Sequence, residues 1–106
     1  MRRSKYGAVK TVVDGITFDS KAEARRYGEL KLLQAAGVIK DLEMQPRYDI
    51  TINDKFCAFY KADFRYIQDC AFVVEDVKGM KTPMYRLKKK LVEALYPHVK
   101  IMEITK

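Results

Sequence analysis

One histidine, two cysteines and no long apolar run are the first constraints this 106-residue chain sets on its own chemistry. A lone His98 removes histidine-rich zinc sites and histidine-based triads, and its setting in Tyr96-Pro97-His98 reads as a loop. Cys57 and Cys70 are expected to be free, structural thiols rather than a disulfide. No segment approaches the ~20 apolar residues of a membrane span. The start, Met1-Arg2-Arg3-Ser4-Lys5, is basic but is not followed by the apolar stretch of a secretory signal. The expectation is a soluble, intracellular protein that does not enter a membrane. Internal repeats, low-complexity tracts and linkers are also missing. Residues 1–106 therefore read as one domain, with 1–5 as a mobile basic arm, burying roughly 60 to 70% of the surface its unfolded form exposes.

Charge is what the chain has in excess. Twenty-one Lys and Arg against 14 Asp and Glu give +7, and the pI is near 9.4. That balance suits an anionic partner such as nucleic acid, although basic charge alone also fits a merely soluble surface.

Local patterns give the order of elements. Asp14-Gly15 between β-branched residues predicts an N-terminal β-hairpin over 10–18. A first helix is expected to begin after Asp19 or Ser20 and to end at Ala36, with Gly37 as its left-handed stop and Tyr27, Leu30 and Leu33 as its buried stripe. Alternation over 44–52 predicts a half-buried strand, and Asn53-Asp54 the turn after it. Two strands, 56–66 and 71–78, are expected to form a hairpin. Thr82-Pro83 then caps a second helix with Met84, Leu87, Leu91 and Leu95 facing inward, and 99–104 forms a last strand. The class is α+β.

The hairpin is where the sequence concentrates its chemistry. Asp76 and Lys78 lie two apart on a strand and so share a face, while Val77 points to the other. If Asp69-Cys70 is a two-residue loop, Gln68 falls opposite Ala71, Asp63 opposite Asp76, and Lys61 opposite Lys78. Asp-Cys is not a favoured hairpin turn, and a slip of one residue breaks the facing pair. Opposed carboxylates repel at roughly 4.5 to 5.5 Å between Cβ atoms unless a cation sits between them. A hard divalent ion such as Mg²⁺ takes one or two carboxylates and leaves its other positions to water and phosphate.

Glu23 projects from the apolar stripe of the first helix, where a charge costs free energy unless it is paired or metal-bound. Ser20-Lys21-Ala22-Glu23 is equally a capping box. Arg25 and Arg26 suit phosphate contact or a solvated helix face. The same two readings apply to Lys81 and to Arg86-Leu87-Lys88-Lys89-Lys90. Tyr6, Tyr60 and Tyr66 suit core packing, with stacking on unpaired RNA bases as the alternative.

Glu on the first helix, Asp63 on one strand and Asp76-x-Lys78 on the next resemble the PD-(D/E)XK nuclease superfamily. Ser4-Lys5-Tyr6, Phe18 to Glu23, Ala62-Asp63-Phe64 and Glu75 to Gly79 are similar to motifs of a family of small phage and prophage proteins within it. Those proteins are similar to Holliday junction resolvases. The likeness covers almost the whole chain, with Ala62 where the superfamily's name has proline.

The resemblance implies a restriction-endonuclease-like core of helix, three strands, helix and strand. It implies Mg²⁺-dependent phosphodiester hydrolysis, with Mn²⁺ able to substitute. Asp63, Asp76 and Glu23 would hold the metal, and Lys78 would stand near the attacking water or scissile phosphate. Glu75, adjacent to Asp76, and Gln45 are lesser candidates for the site. Arg2, Arg3, Lys5, Arg25, Arg26, Lys81, Lys88 and Lys89 would grip DNA, expected to be branched or junction DNA. A homodimer in the cytoplasm of a bacterial host cell completes the expectation. A nucleic-acid-binding accessory protein without turnover is the competing reading.

Overall fold

The computed structural model describes residues 10–105. Arg2, Arg3, Lys5 and Tyr6 lie outside that range. Two short strands, β1 (Thr11–Val13) and β2 (Ile16–Phe18), pair antiparallel. Asp14 and Gly15 between them both have positive φ, as a type I′ turn requires. The first helix, α1 (Lys21–Ala35), is capped by Ser20, whose hydroxyl accepts the Glu23 N–H. It ends where the sequence says it should. Gly37 adopts φ of 78°, and bonds from Gly37 N–H to Gln34 O and from Val38 N–H to Leu33 O close a Schellman motif.

The strands differ from expectation in two places. The strand expected over 44–52 begins only at Arg47, as β4 (Arg47–Ile52), and is preceded by an unexpected strand, β3 (Lys40–Met44), while the stretch after the Asn53-Asp54 turn divides into β5 (Lys55–Lys61) and β6 (Phe64–Gln68). β4 pairs with β5 in one two-stranded sheet, while β3 pairs with β6 in another. Both chains bend at the same level. Gln45 takes φ of 55°, Pro46 removes a ladder donor, and the breaks are bonded to each other by Gln45 N–H to Asp63 O and Ala62 N–H to Pro46 O. The continuous strand expected over 56–66 is thus corrected to two segments meeting at Ala62-Asp63.

From β6 the chain turns through Asp69-Cys70 into β7 (Ala71–Lys78), then α2 (Pro83–Leu95) and β8 (Ile101–Thr105), which lies parallel to β7. The four-stranded sheet runs β3-β6-β7-β8. Its two faces have separate cores. Ala24, Tyr27 and Leu30 of α1 pack with Phe64, Tyr66 and Val77 on one side. Tyr85 and Val92 of α2 pack with Val74, Ile101, Tyr60 and Ile50 on the other. Full burial of a side chain such as Phe64 contributes about 1.5 to 3 kcal/mol, so each helix is held chiefly by these contacts. The fold is a small α+β arrangement with two helices and mixed sheets.

The inward stripe expected of α2 is different. Met84, Leu87 and Leu95 are exposed, Leu91 is half-buried, and Tyr85 and Val92 occupy the core. Tyr85 satisfies its hydroxyl through Glu103, so an aromatic with a polar tip takes the buried position. Cys57 and Cys70 are free, as expected, but lie on the surface.

Candidate functional site

The register that matters is in place. Gln68 pairs with Ala71 and Phe64 with Glu75, so the two-residue Asp69-Cys70 loop sets the β6–β7 ladder without a slip. One step further, Asp63 N–H donates to Glu75 O, and the Asp63 carboxylate accepts the Val77 N–H at 2.6 Å. Asp63 therefore faces Asp76 at the point where the chain has just bent out of β5. Lys61 is no longer laddered against Lys78, because the bend carries β5 into its own sheet. Both lysines nevertheless line one cavity.

That cavity, about 240 Å³, is bounded by Glu23, Asp63, Asp76 and Lys78, with Asp19, Gln45 and Lys61 at its sides. Each of the four residues expected to carry the chemistry is present. Alternation explains the division on β7. Val74, Asp76 and Lys78 face α2, and Val73, Glu75 and Val77 face α1. Asp76, only 2% exposed, accepts a bond from the buried Tyr60 hydroxyl and lies 3.4 Å from Lys78 Nζ. The Lys78 ammonium rests 4.4 Å from the centre of the Tyr85 ring. A carboxylate on one side and a π-face on the other fix its position.

The electrostatics are those of crowded acids. Burial pushes the Asp63 carboxyl up to about 7, the Val77 N–H pulls it down, and Glu23 and Asp76 raise it through their charge and, for Asp76, a side-chain hydrogen bond. Burial and then the bond to Asp76 drive Tyr60 well above the ordinary phenol range, so it remains a donor. Glu23 donates its backbone N–H to the Ser20 hydroxyl, one half of a capping box, and lines the acidic cavity.

Other expected residues go elsewhere. Glu75 is fully buried on the α1 face, where Arg26 Nε and an Arg26 terminal nitrogen reach its two oxygens at 2.8 and 2.7 Å and Tyr66 donates its hydroxyl. This bidentate pair removes Arg26 from the phosphate-gripping set and Glu75 from the cavity. The Arg26 guanidinium is held even further above its usual range, chiefly by the Glu75 hydrogen bond. Arg25 is exposed on α1. Lys88 lies against the Phe59 ring, and Lys81 and Lys89 are paired with Glu103 and Glu93. Tyr60 and Tyr66 are core residues with their hydroxyls spent on acids, which leaves them no face for bases.

Tyr60, Tyr85, Lys61 and Asp19 are among the residues that sequence reasoning did not place in the site. Alternation gives no signal for Tyr60, which shares a strand face with Ala62 and not with Asp63 and reaches Asp76 because the chain bends at Ala62-Asp63.

Among the described residues, no three His, Cys, Asp or Glu side chains form a group arranged to hold a metal. Asp63 and Asp76 face each other as a pair of hard oxygen donors, and Mg²⁺ characteristically takes one or two carboxylates with water and phosphate oxygens.

Fold and site together define a small α+β chain with an acidic, lysine-flanked cavity at the end of a strand pair. Residues 3–106 match the model of a family described as protein of unknown function (DUF1064), and the chain belongs to that family. No curated protein and no solved structure matches it. No helix among the described residues is long and apolar enough to cross a membrane.

Proposed function

We propose that the chain is a metal-dependent DNA endonuclease of the PD-(D/E)XK type, structure-selective and resembling Holliday junction resolvases. One observation carries this reading: Glu23 of α1, Asp63 at the β5–β6 break, and Asp76 and Lys78 of β7 line a single cavity. The four-stranded sheet with its helices, ordered helix, three strands, helix, strand once β4–β5 is set aside, is compatible with a restriction-endonuclease-like core.

Asp63 and Asp76 are the residues that would hold Mg²⁺ or Mn²⁺, with Glu23 beside them. A bound divalent ion supplies a water of lowered pKa and charge for the phosphoryl oxygens. Lys78, fixed between Asp76 and the Tyr85 ring, presents positive charge where negative charge builds during hydrolysis. Tyr60 holds the Asp76 carboxylate in one orientation. Paired cuts on branched DNA call for two sites, hence a homodimer, and the exposed Met84, Leu87 and Leu95 of α2 offer apolar surface of the kind a second copy covers. Action on DNA during recombination or replication in a bacterial cytoplasm belongs to the same reading.

A second reading, a nucleic-acid-binding accessory protein without turnover, is favoured by one feature. Asp76 is already paired with Lys78 and Tyr60, and among the described residues no third acid completes a metal group. A panel of duplex, flap, fork and four-way junction DNA, incubated with Mg²⁺ or Mn²⁺, separates the two. Cleavage by the wild type and not by Asp76→Ala supports the enzyme. Binding without cleavage, equal in both proteins and across metals, supports the accessory role.

A further inference from the structure

A second cavity, about 660 Å³, opens on the far side of Tyr85 and is walled by Lys81, Arg86, Lys89, Lys90, Glu93 and Glu103. It adjoins the acidic cavity through a continuous chain of contacts. Lys78 lies on the Tyr85 ring, the Tyr85 hydroxyl donates to Glu103 at 2.8 Å, and Glu103 pairs with Lys81 at 3.0 Å. The two carboxylates are already committed. Glu93 takes Lys89 and the Ile101 N–H, and Glu103 takes Lys81 and Tyr85.

Arg86 and Lys90 have no carboxylate partner among the described residues, and both are exposed. They stand four apart on α2, so they are neighbours on one helix face, where like charges destabilise the helix. The apolar side chains Met84, Leu87 and Leu95 occupy a different face. Two unmatched cations on adjacent turns of an exposed helix face suit successive negative charges of a chain rather than a single small anion.

We propose that this groove binds the sugar-phosphate backbone of DNA, with Arg86 and Lys90 on consecutive phosphates. The inference rests on the acidic cavity acting on a phosphodiester, and it assigns where the strand lies beside the cut. It replaces Lys88 and Arg26 in the expected contact set with Arg86 and Lys90.

The test measures binding of a short labelled DNA duplex in EDTA, by anisotropy across a salt series, so that cleavage does not intervene. The double variant Arg86→Gln, Lys90→Gln is compared with Lys31→Gln, Lys55→Gln, which removes the same net charge from exposed positions elsewhere. Circular dichroism checks that both fold. The groove variant is expected to bind about tenfold more weakly, with a log–log salt slope shallower by about 2, and the control to bind as the wild type. Equal losses in both variants, an unchanged groove variant, tighter binding of an RNA duplex, or a wild type that binds no DNA would each overturn the proposal. Cleavage of junction DNA is scored separately. A groove variant that binds normally beside a cleaving wild type removes the groove and leaves the nuclease, and weakened groove binding without any cleavage does the reverse.

Discussion

The Tyr60 hydroxyl donates to the Asp76 carboxylate inside the core, across the junction between the two-stranded β4–β5 sheet and β7. This contact joins the two sheets at the acidic cavity, and burial keeps the phenol protonated so that it can only donate there. Outer partners of metal-holding carboxylates typically change metal affinity 10- to 100-fold when removed. Tyr60→Phe is therefore expected to weaken Mn²⁺ binding by roughly tenfold in calorimetric titration while leaving the fold intact. An unchanged Mn²⁺ isotherm would reduce Tyr60 to a packing residue.

On the other face of β7, the Arg26–Glu75 pair makes a stability prediction of opposite character. Glu75 is fully buried, and two Arg26 nitrogens and Tyr66 are its partners. Removing one member of such a pair strands the other charge, at a cost of about 3 to 5 kcal/mol. Arg26→Ala should lower the urea midpoint accordingly, while Arg26→Met with Glu75→Leu recovers most of the loss. DNA affinity per folded molecule should be the same in Arg26→Ala as in the wild type. A stable single variant with weakened DNA binding would restore Arg26 to the phosphate-contacting set.

Much of this was legible in residue order because the signals were local. Asp14-Gly15, Ser20, Gly37 and Thr82-Pro83 each specify a backbone geometry that the chain adopts. The facing of Asp63 and Asp76 followed from counting back from one turn. What escaped was set by tertiary contacts. The strand breaks at Gln45-Pro46 and Ala62-Asp63 depend on each other through cross-strand bonds, and neither stretch alone shows a bend. Arg26 read as a surface cation because its partner is 49 positions away. The stripe of α2 was misplaced because Tyr85, with Glu103 for its hydroxyl, outcompetes leucines for the core.

The hairpin turn that sets the site's register has an uncommon residue in it. Asp69 and Cys70 both have positive φ, at 53° and 63°, and Cys70 has no glycine's freedom there. A left-handed conformation costs an ordinary residue about 1 to 2 kcal/mol, partly offset in a glycine variant by its greater unfolded-state entropy. Cys70→Gly should raise stability by about 0.5 to 1 kcal/mol with the Asp63–Asp76 facing preserved. A destabilised variant in thermal and urea unfolding would mean that the cysteine side chain contributes more than its backbone costs.

Asp63 ties the site to pH. Its carboxyl is raised from an ordinary 3.8 to about 7 in the folded chain, first by burial and then by Glu23 and Asp76. A raised acid binds its proton more tightly when folded, so its stabilising contribution is complete below about 3.8 and is lost as pH climbs through about 7. Relative to Asp63→Asn, the wild type should lose stability by up to about 1.4 kcal/mol per pH unit across that window. Divalent cation should offset part of the loss at about pH 8, because metal binds the ionised acid and competes with the proton, stabilising by about 2.7 kcal/mol at a hundredfold excess over its dissociation constant. Parallel stability curves for wild type and Asp63→Asn from acid to neutral pH would show that neither burial nor its acidic neighbours raise the Asp63 carboxyl. In that case a cation would have no repulsion to relieve.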